Sequence, residues 1–161
     1  ENYNVIPDVV LFAKALGGGY PLGAFTSSEE IMNCLSDDPP LGHITTFGGH
    51  PVSCAAAIAN IEILSSVGIV ENVKDKGELF KSLLHHDLIA EVRGIGLMLA
   101  VQLQNADQAH RSMDICRELG LITDLFLFAD DCLRIAPPLT ISEEENDTAC
   151  KIILRNLDRV S

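Results

Sequence analysis

The chain has 161 residues, 47% hydrophobic and 21% charged, enough for one ordinary domain or one and a half small ones. This make-up excludes a disordered acidic tail, a collagen-like repeat and a mucin-like stalk. The net charge of −12 repels phosphate backbones and anionic lipid, and no basic patch offsets it, so neither a nucleic-acid nor a membrane partner is expected.

The first residues, ENYNVIPD, have neither the basic start nor the apolar stretch of a signal peptide. They lead within eight residues into a buried-looking strand, so the chain reads as a piece that starts inside a larger protein. That strand is Val9–Ala13, a continuous apolar run of the kind covered on both faces in a parallel sheet. Lys14 stands at its carboxyl end, before the backbone-permissive segment Gly17-Gly18-Gly19-Tyr20-Pro21-Leu22-Gly23. Ala24-Phe25-Thr26 offers another short strand. Ser27 or Ser28 can cap a short helix carrying Glu29 and Glu30 at its positive end, and the helix should finish near residues 37–42. A polar, glycine-rich loop follows, His43 to His50. Pro51 suits the first turn of the next helix, expected to run to about Leu64. Its small residues, Ser53 to Ala57, predict close approach of neighbouring backbone. The longest charge-free stretch, Leu41 to Ile61, holds two histidines, three glycines and Pro51, and does not suit a bilayer core.

A second region begins near residues 65–68. Val70, Val73, Gly77, Phe80 and Leu84 fall at helical spacing. Ile89 to Leu103 reads as a strand or hairpin broken at Gly94 and Gly96. Ala109, Met113 and Cys116 line a helix stopped by Gly120. Leu121 to Ile135 is strand-like, with an interruption expected at Asp130-Asp131. Ser142 and Glu145 form a capping box, and Ala149, Ile152, Ile153, Leu157 and Val160 give the last helix one apolar face. Strands alternating with helices place the chain in the α/β or α+β class.

The five cysteines are scattered, odd in number and never spaced C-x-x-C, so buried thiols in a reducing, cytoplasmic compartment are expected rather than disulfides or zinc. The five histidines suggest no ligand set, so no metal is expected. The glycines form neither a phosphate-loop nor a dinucleotide fingerprint.

Lys14 is the strongest chemical candidate. A lysine at the carboxyl end of a buried strand would be partly desolvated, which disfavours the ammonium form and yields the nucleophilic amine of Schiff-base chemistry. On spacing alone, a surface lysine that ends a strand is the commoner situation.

The run Pro7-Asp8-Val9-Val10-Leu11-Phe12-Ala13-Lys14-Ala15-Leu16-Gly17-Gly18-Gly19-Tyr20-Pro21-Leu22-Gly23-Ala24 closely resembles the lysine segment of the class-III aminotransferases. These are the pyridoxal-phosphate enzymes of the ornithine, acetylornithine and 4-aminobutyrate aminotransferase group. The loop from His43 to Pro51 with Cys54-Ala55-Ala56-Ala57, then Val92-Arg93-Gly94-Ile95-Gly96-Leu97-Met98, then Leu133-Arg134-Ile135-Ala136-Pro137-Pro138-Leu139, resemble later segments of that family in order.

The resemblance implies a fold: the C-terminal part of the large cofactor domain over residues 1–66, then a small C-terminal α+β domain over residues 67–161. It implies pyridoxal 5′-phosphate as cofactor, an amino-acid donor and a 2-oxo acid acceptor as substrates, and a homodimer. Lys14 matches the Schiff-base lysine that also moves the substrate proton. Thr46 matches a hydroxyl that binds the cofactor phosphate of the neighbouring subunit; read locally, it is a loop hydroxyl bonded to nearby backbone. Arg134 matches an arginine near the substrate, whose fork holds a carboxylate; read locally, it pairs with Asp130 or Asp131. The family's aspartate against the ring nitrogen, its phosphate turn, its stacking aromatic and the glutamate that the Arg134 counterpart meets in relatives would all precede Glu1. Two alternatives accompany this reading: a class-III aminomutase, racemase or decarboxylase, and a non-catalytic dimerisation or regulatory piece.

Overall fold

Val9–Phe12 (β1) is a strand, but not a central parallel one. It pairs antiparallel with Ala24–Ser27 (β2), in the register Val9↔Ser27 to Phe12↔Ala24, and the two make a sheet of their own. Three of its four residues are exposed, Leu11 to 78%, which corrects the expectation of a strand covered on both faces. The apolar run was read correctly as a strand; what covers such a run lies outside the local pattern. The computed structural model describes residues 2–36, 38, 40, 42–66 and 68–160. Two units divide it, Glu1–Val67 and Gly68–Ser161.

In the first unit a 3-10 turn, Lys14–Gly17, follows β1, and Gly18 closes it in the left-handed region at φ +57°. After β2, the Ser28 hydroxyl accepts the Ile31 N–H at 3.4 Å and caps the short helix Glu29–Asn33 (α1), with Glu29 and Glu30 in its first turn. The helix finishes a few residues before the expected 37–42 region, of which residues 37, 39 and 41 lie outside the described residues. Pro51 opens the helix Pro51–Ser66 (α2). The expected close approach is real but local. A Cβ on residue 18 would lie 2.8 Å from the Ala56 carbonyl oxygen, and Asn60 Nδ2 donates to the Ala15 carbonyl at 2.8 Å. Only Ser53 and Ala57 of α2 are buried, so the dense packing expected along its small residues is confined to this contact.

The second unit has helix Val73–Leu83 (α3), strands Ile89–Ile95 (β3) and Met98–Leu103 (β4), helix Ala106–Glu118 (α4), strands Asp124–Phe126 (β5) and Ala129–Ile135 (β6), and helix Glu143–Val160 (α5). The sheet order is β3-β4-β6-β5, with every pairing antiparallel. Alternation sorts its faces. Leu99, Val101, Leu103, Leu133 and Ile135 join Phe80, Ala109, Cys116, Ile153 and Leu157 of the helices in one core. Ala100, Gln102, Cys132 and Arg134 alternate with those strand residues along β4 and β6, and so lie on the other face.

Two expectations need correction here. The interruption between β5 and β6 falls at Leu127-Phe128, not at Asp130-Asp131, which lie inside β6. The tip Leu127-Phe128 is apolar and almost wholly exposed, so composition did not mark it as a turn. Gly94 does not end β3 but lies within it at φ +139°, where a Cβ would come 2.1 Å from the Met98 carbonyl oxygen. The turn lies at Gly96-Leu97. The capping box forms as read: Glu145 Oε2 accepts from the Ser142 N–H at 2.8 Å and from its hydroxyl at 2.9 Å, while Glu145 N–H donates back at 3.2 Å. The thiols are free, and Cys116, Cys132 and Cys150 are buried, but Cys34 is exposed and Cys54 half-buried, which corrects a uniformly buried set. No helix among the described residues is long and apolar enough to cross a membrane.

Candidate active site

Lys14 is the second residue after β1 and the first of the 3-10 turn. Its φ of +56° puts a non-glycine side chain in the left-handed region, at a cost on the order of 1–2 kcal/mol. Such a conformation persists only where its surroundings hold it, and it concentrates at functional sites. Here the holding groups are identifiable. Leu16 N–H donates to the Ala13 carbonyl at 3.2 Å, Gly18 N–H to the Ala15 carbonyl at 3.0 Å and Tyr20 N–H to the Gly17 carbonyl at 3.0 Å. Asn60 of α2 adds its bond to the Ala15 carbonyl, and Gly18 fits against Ala56 because it has no Cβ. The lysine is therefore presented from a turn tied to a helix. It is exposed, so the described residues do not supply the desolvation expected of a strand-end lysine. No ion pair or hydrogen bond engages its amine among the described residues. The positive φ was not legible in the sequence, and the turn that carries it packs on α2, some forty positions away.

Thr46 lies in a turn that carries the Gly48 N–H to Thr45 carbonyl bond and the His50 N–H to Phe47 carbonyl bond, both 3.3 Å. It is exposed, and its hydroxyl has no hydrogen-bond partner among the described residues. Gly49, at φ +69°, has open space where a Cβ would stand. Lys14 and Thr46 belong to the same unit, with no hydrogen bond between them. A primary amine and a hydroxyl, neither with a partner among the described residues, are the nucleophile and the hydrogen-bond donor that an aldehyde and a phosphate require, so these residues fit a phosphorylated aldehyde cofactor in kind.

Arg134 belongs to the second unit. It lies on β6 directly opposite Asp124 of β5, and its Nη2 donates to Asp124 Oδ2 at 2.7 Å. This corrects the local expectation of a partner at Asp130 or Asp131. Asp131 instead accepts from Gln102 Nε2 at 2.9 Å and from the Cys132 thiol at 3.3 Å. Cys132 also accepts from Arg93 Nη2 at 3.4 Å, and burial, more than its neighbours, pushes its thiol up. Asp124 is the residue that sequence reasoning missed, because misplacing the hairpin tip hid its register with Arg134. Both line a cleft of about 660 Å³ where the chain enters β5 and leaves β6, together with Thr123, Leu121, Pro138 and Ile153. Among the described residues, no group of three or more metal-binding side chains is present.

Known proteins resemble the chain in sequence and in fold. Acetylornithine aminotransferase of Methanothermobacter thermautotrophicus is 36% identical over 156 residues, covering 94% of this chain and 38% of its own length. That of Methanocaldococcus jannaschii is 36% identical over 167 residues, covering 99% of this chain and 39% of its own. A transaminase structure from the marine bacterium Virgibacillus superposes with a TM-score of 0.88 at 31% identity, over 99% of this chain and 40% of its own. The acetylornithine aminotransferase structure from Elizabethkingia anophelis gives 0.85 at 32% identity, over 98% of this chain and 40% of its own. The chain thus spans under half the length of the relatives it matches. A family model described as aminotransferase class-III matches residues 1–157, and with it the chain belongs to the class-III aminotransferases, a family of pyridoxal-phosphate-dependent enzymes.

Proposed function

We propose that the chain supplies the reactive lysine, a phosphate contact and a substrate contact of a transaminase that moves an amino group from an amino-acid donor to a 2-oxo acid. The observation that carries this reading is Lys14, whose amine has no partner among the described residues and whose left-handed φ lies in a turn bound to α2. Residues 1–66 serve as the C-terminal part of the large cofactor domain, and residues 67–161 as the small C-terminal domain.

When bound, pyridoxal 5′-phosphate supplies an aldehyde that condenses with amines and a conjugated ring that draws electrons from the substrate Cα. Lys14 acts through Nζ, first as nucleophile and then, once free, as the base that takes the Cα proton and the acid that returns it. Its exposed position lets Nζ swing between these tasks. Thr46 donates its hydroxyl to a phosphate oxygen of the neighbouring subunit in a homodimer. Arg134 holds the carboxylate shared by donor and acceptor. The relatives' names make acetylornithine the first donor to try. A cytoplasmic location is proposed with it, since free thiols persist in reducing surroundings.

The test is borohydride reduction in the presence of pyridoxal phosphate, with peptide mapping of the product. A pyridoxyl label on Lys14 is expected. A label on another lysine overturns the assignment.

A further inference from the structure

Arg134 is tied to the neighbouring strand at both ends. Its guanidinium Nη2 donates to Asp124 Oδ2 at 2.7 Å, and its carbonyl accepts the Thr123 hydroxyl at 2.8 Å. Asp124 is held in turn, since its Oδ1 accepts the Leu125 N–H at 2.9 Å. The carboxylate therefore presents Oδ2 at a set angle. Only one N–H of the guanidinium is used this way, and the described residues give its other donors no partner. A fork anchored at one corner, its other N–H groups without a partner among the described residues, suits a second carboxylate.

Stability does not account for the pair. The Arg134 and Asp124 side chains are 39% and 62% exposed, and an ion pair so open contributes little to folding. It does, however, restrict an arginine that would otherwise sample many rotamers. It also offsets the arginine's charge where carboxylates would bind.

We propose that Asp124 is a positioning residue for Arg134: it fixes the angle of the guanidinium toward the substrate carboxylate and moderates how tightly that carboxylate is held. The proposal rests on the reading of Arg134 as the substrate contact. It deepens that reading with a specific trade: without Asp124 the arginine attracts carboxylates more strongly but orients them less well. Binding tightens while the reacting geometry worsens, and misplacement costs rate.

The experiment compares Asp124→Asn, Asp124→Glu and Arg134→Lys in the holoenzyme, following KM and kcat for the 2-oxo acid. Asp124→Asn should lower KM several-fold and lower kcat about tenfold. Asp124→Glu keeps the charge but moves the anchor, so KM should stay near the parent value while kcat falls. A readout without turnover uses ¹⁵N-labelled protein titrated with acetate. The Arg134 Nε–H resonance should shift at lower acetate concentration in Asp124→Asn than in the parent. Should Asp124→Asn fail to fold, Asp124→Ser takes its place, with the same expectations. KM and kcat unchanged in the Asp124 variants, with binding lost in Arg134→Lys, overturn the role of Asp124 and leave the reading of Arg134 standing. Unchanged KM in Arg134→Lys overturns both.

Discussion

At the scale of single residues, Thr46 offers a direct measurement. Its hydroxyl has no partner among the described residues, so replacing it leaves no orphaned group behind. If it reaches a phosphate, Thr46→Val should weaken cofactor retention by about 1.5–3 kcal/mol, as for a hydrogen bond to a charged group, while the melting temperature of the cofactor-free protein stays put. Equilibrium dialysis with pyridoxal phosphate checks it, and unchanged affinity would return Thr46 to an ordinary loop hydroxyl. Cys150 makes a second prediction. Burial, with a smaller push from Asp147, raises its thiol to about 12. Between the ordinary thiol value and that one, the unfolded chain has released its proton and the folded chain has not, so stability falls as pH rises. The urea midpoint should therefore drop from pH 8 to pH 10, and less so in Cys150→Ala. In the native protein at pH 8, a thiol reagent should label exposed Cys34 quickly and Cys150 only on unfolding. Glu145 has the opposite sign. The Ser142 backbone N–H, and then its hydroxyl, hold the carboxyl below its usual range. Its contribution is complete above the ordinary carboxylate range and is lost as pH falls through the lowered value.

Among elements, α3 lies hard against the β3–β4 turn. A Cβ on Gly77 would lie 2.1 Å from the Gly96 carbonyl oxygen, and one on Gly96 would lie 2.5 Å from Val73 Cγ1. Backbone, unlike a side-chain tip, cannot step aside. Gly77→Ala should thus destabilise the second unit by about 1–3 kcal/mol despite alanine's better helix propensity, measured as a shift in urea midpoint without loss of slope. The sequence placed Gly77 on the apolar face of α3 by spacing alone; that its function there is to let a strand turn approach was not in the spacing. The α4–α5 contact has a similar lesson. Asn156 is buried and donates to the Ser112 carbonyl at 2.9 Å, to the Ser112 hydroxyl and to Cys116 Sγ at 3.0 Å. Helical spacing sets Asn156 on the apolar face of α5, three residues after Ile153 and four before Val160, but the groups it meets on α4 were not in the spacing. By contrast, the α5 capping box was fully legible, because Ser142 and Glu145 are three residues apart and need no other element.

For the whole molecule, the two units differ in how much of their apolar surface they cover. The second contains nearly the whole of the buried hydrophobic set, organised around one sheet and three helices. Among the described residues of the first, Ala57 alone is a buried hydrophobic residue, while Leu11, Phe12, Phe25, Phe47, Ile58 and Ile63 are exposed. A helix such as α2, apolar on all sides, is stable when it is enclosed. Residues 68–161 expressed alone should therefore unfold cooperatively, with coincident circular-dichroism and fluorescence-dye transitions. Residues 1–66 alone should bind a hydrophobic dye and associate. A second unit that melts without cooperativity would overturn this division.

Family, cofactor class and most elements were readable along the chain, because they rest on local features: the lysine and proline–arginine segments, helical spacing, hydroxyl caps and glycine stops. Pairing between distant residues decided the rest. The turn that carries Lys14 at its left-handed φ meets Asn60 and Ala56 of α2, and the partner of Arg134 depends on where an exposed apolar hairpin tip falls. The strand Val9–Phe12 was recognisable by its apolar run, but its antiparallel partner and its exposure followed from which other elements lie beside it. A short apolar run records that a residue prefers burial; it does not record what is available to bury it.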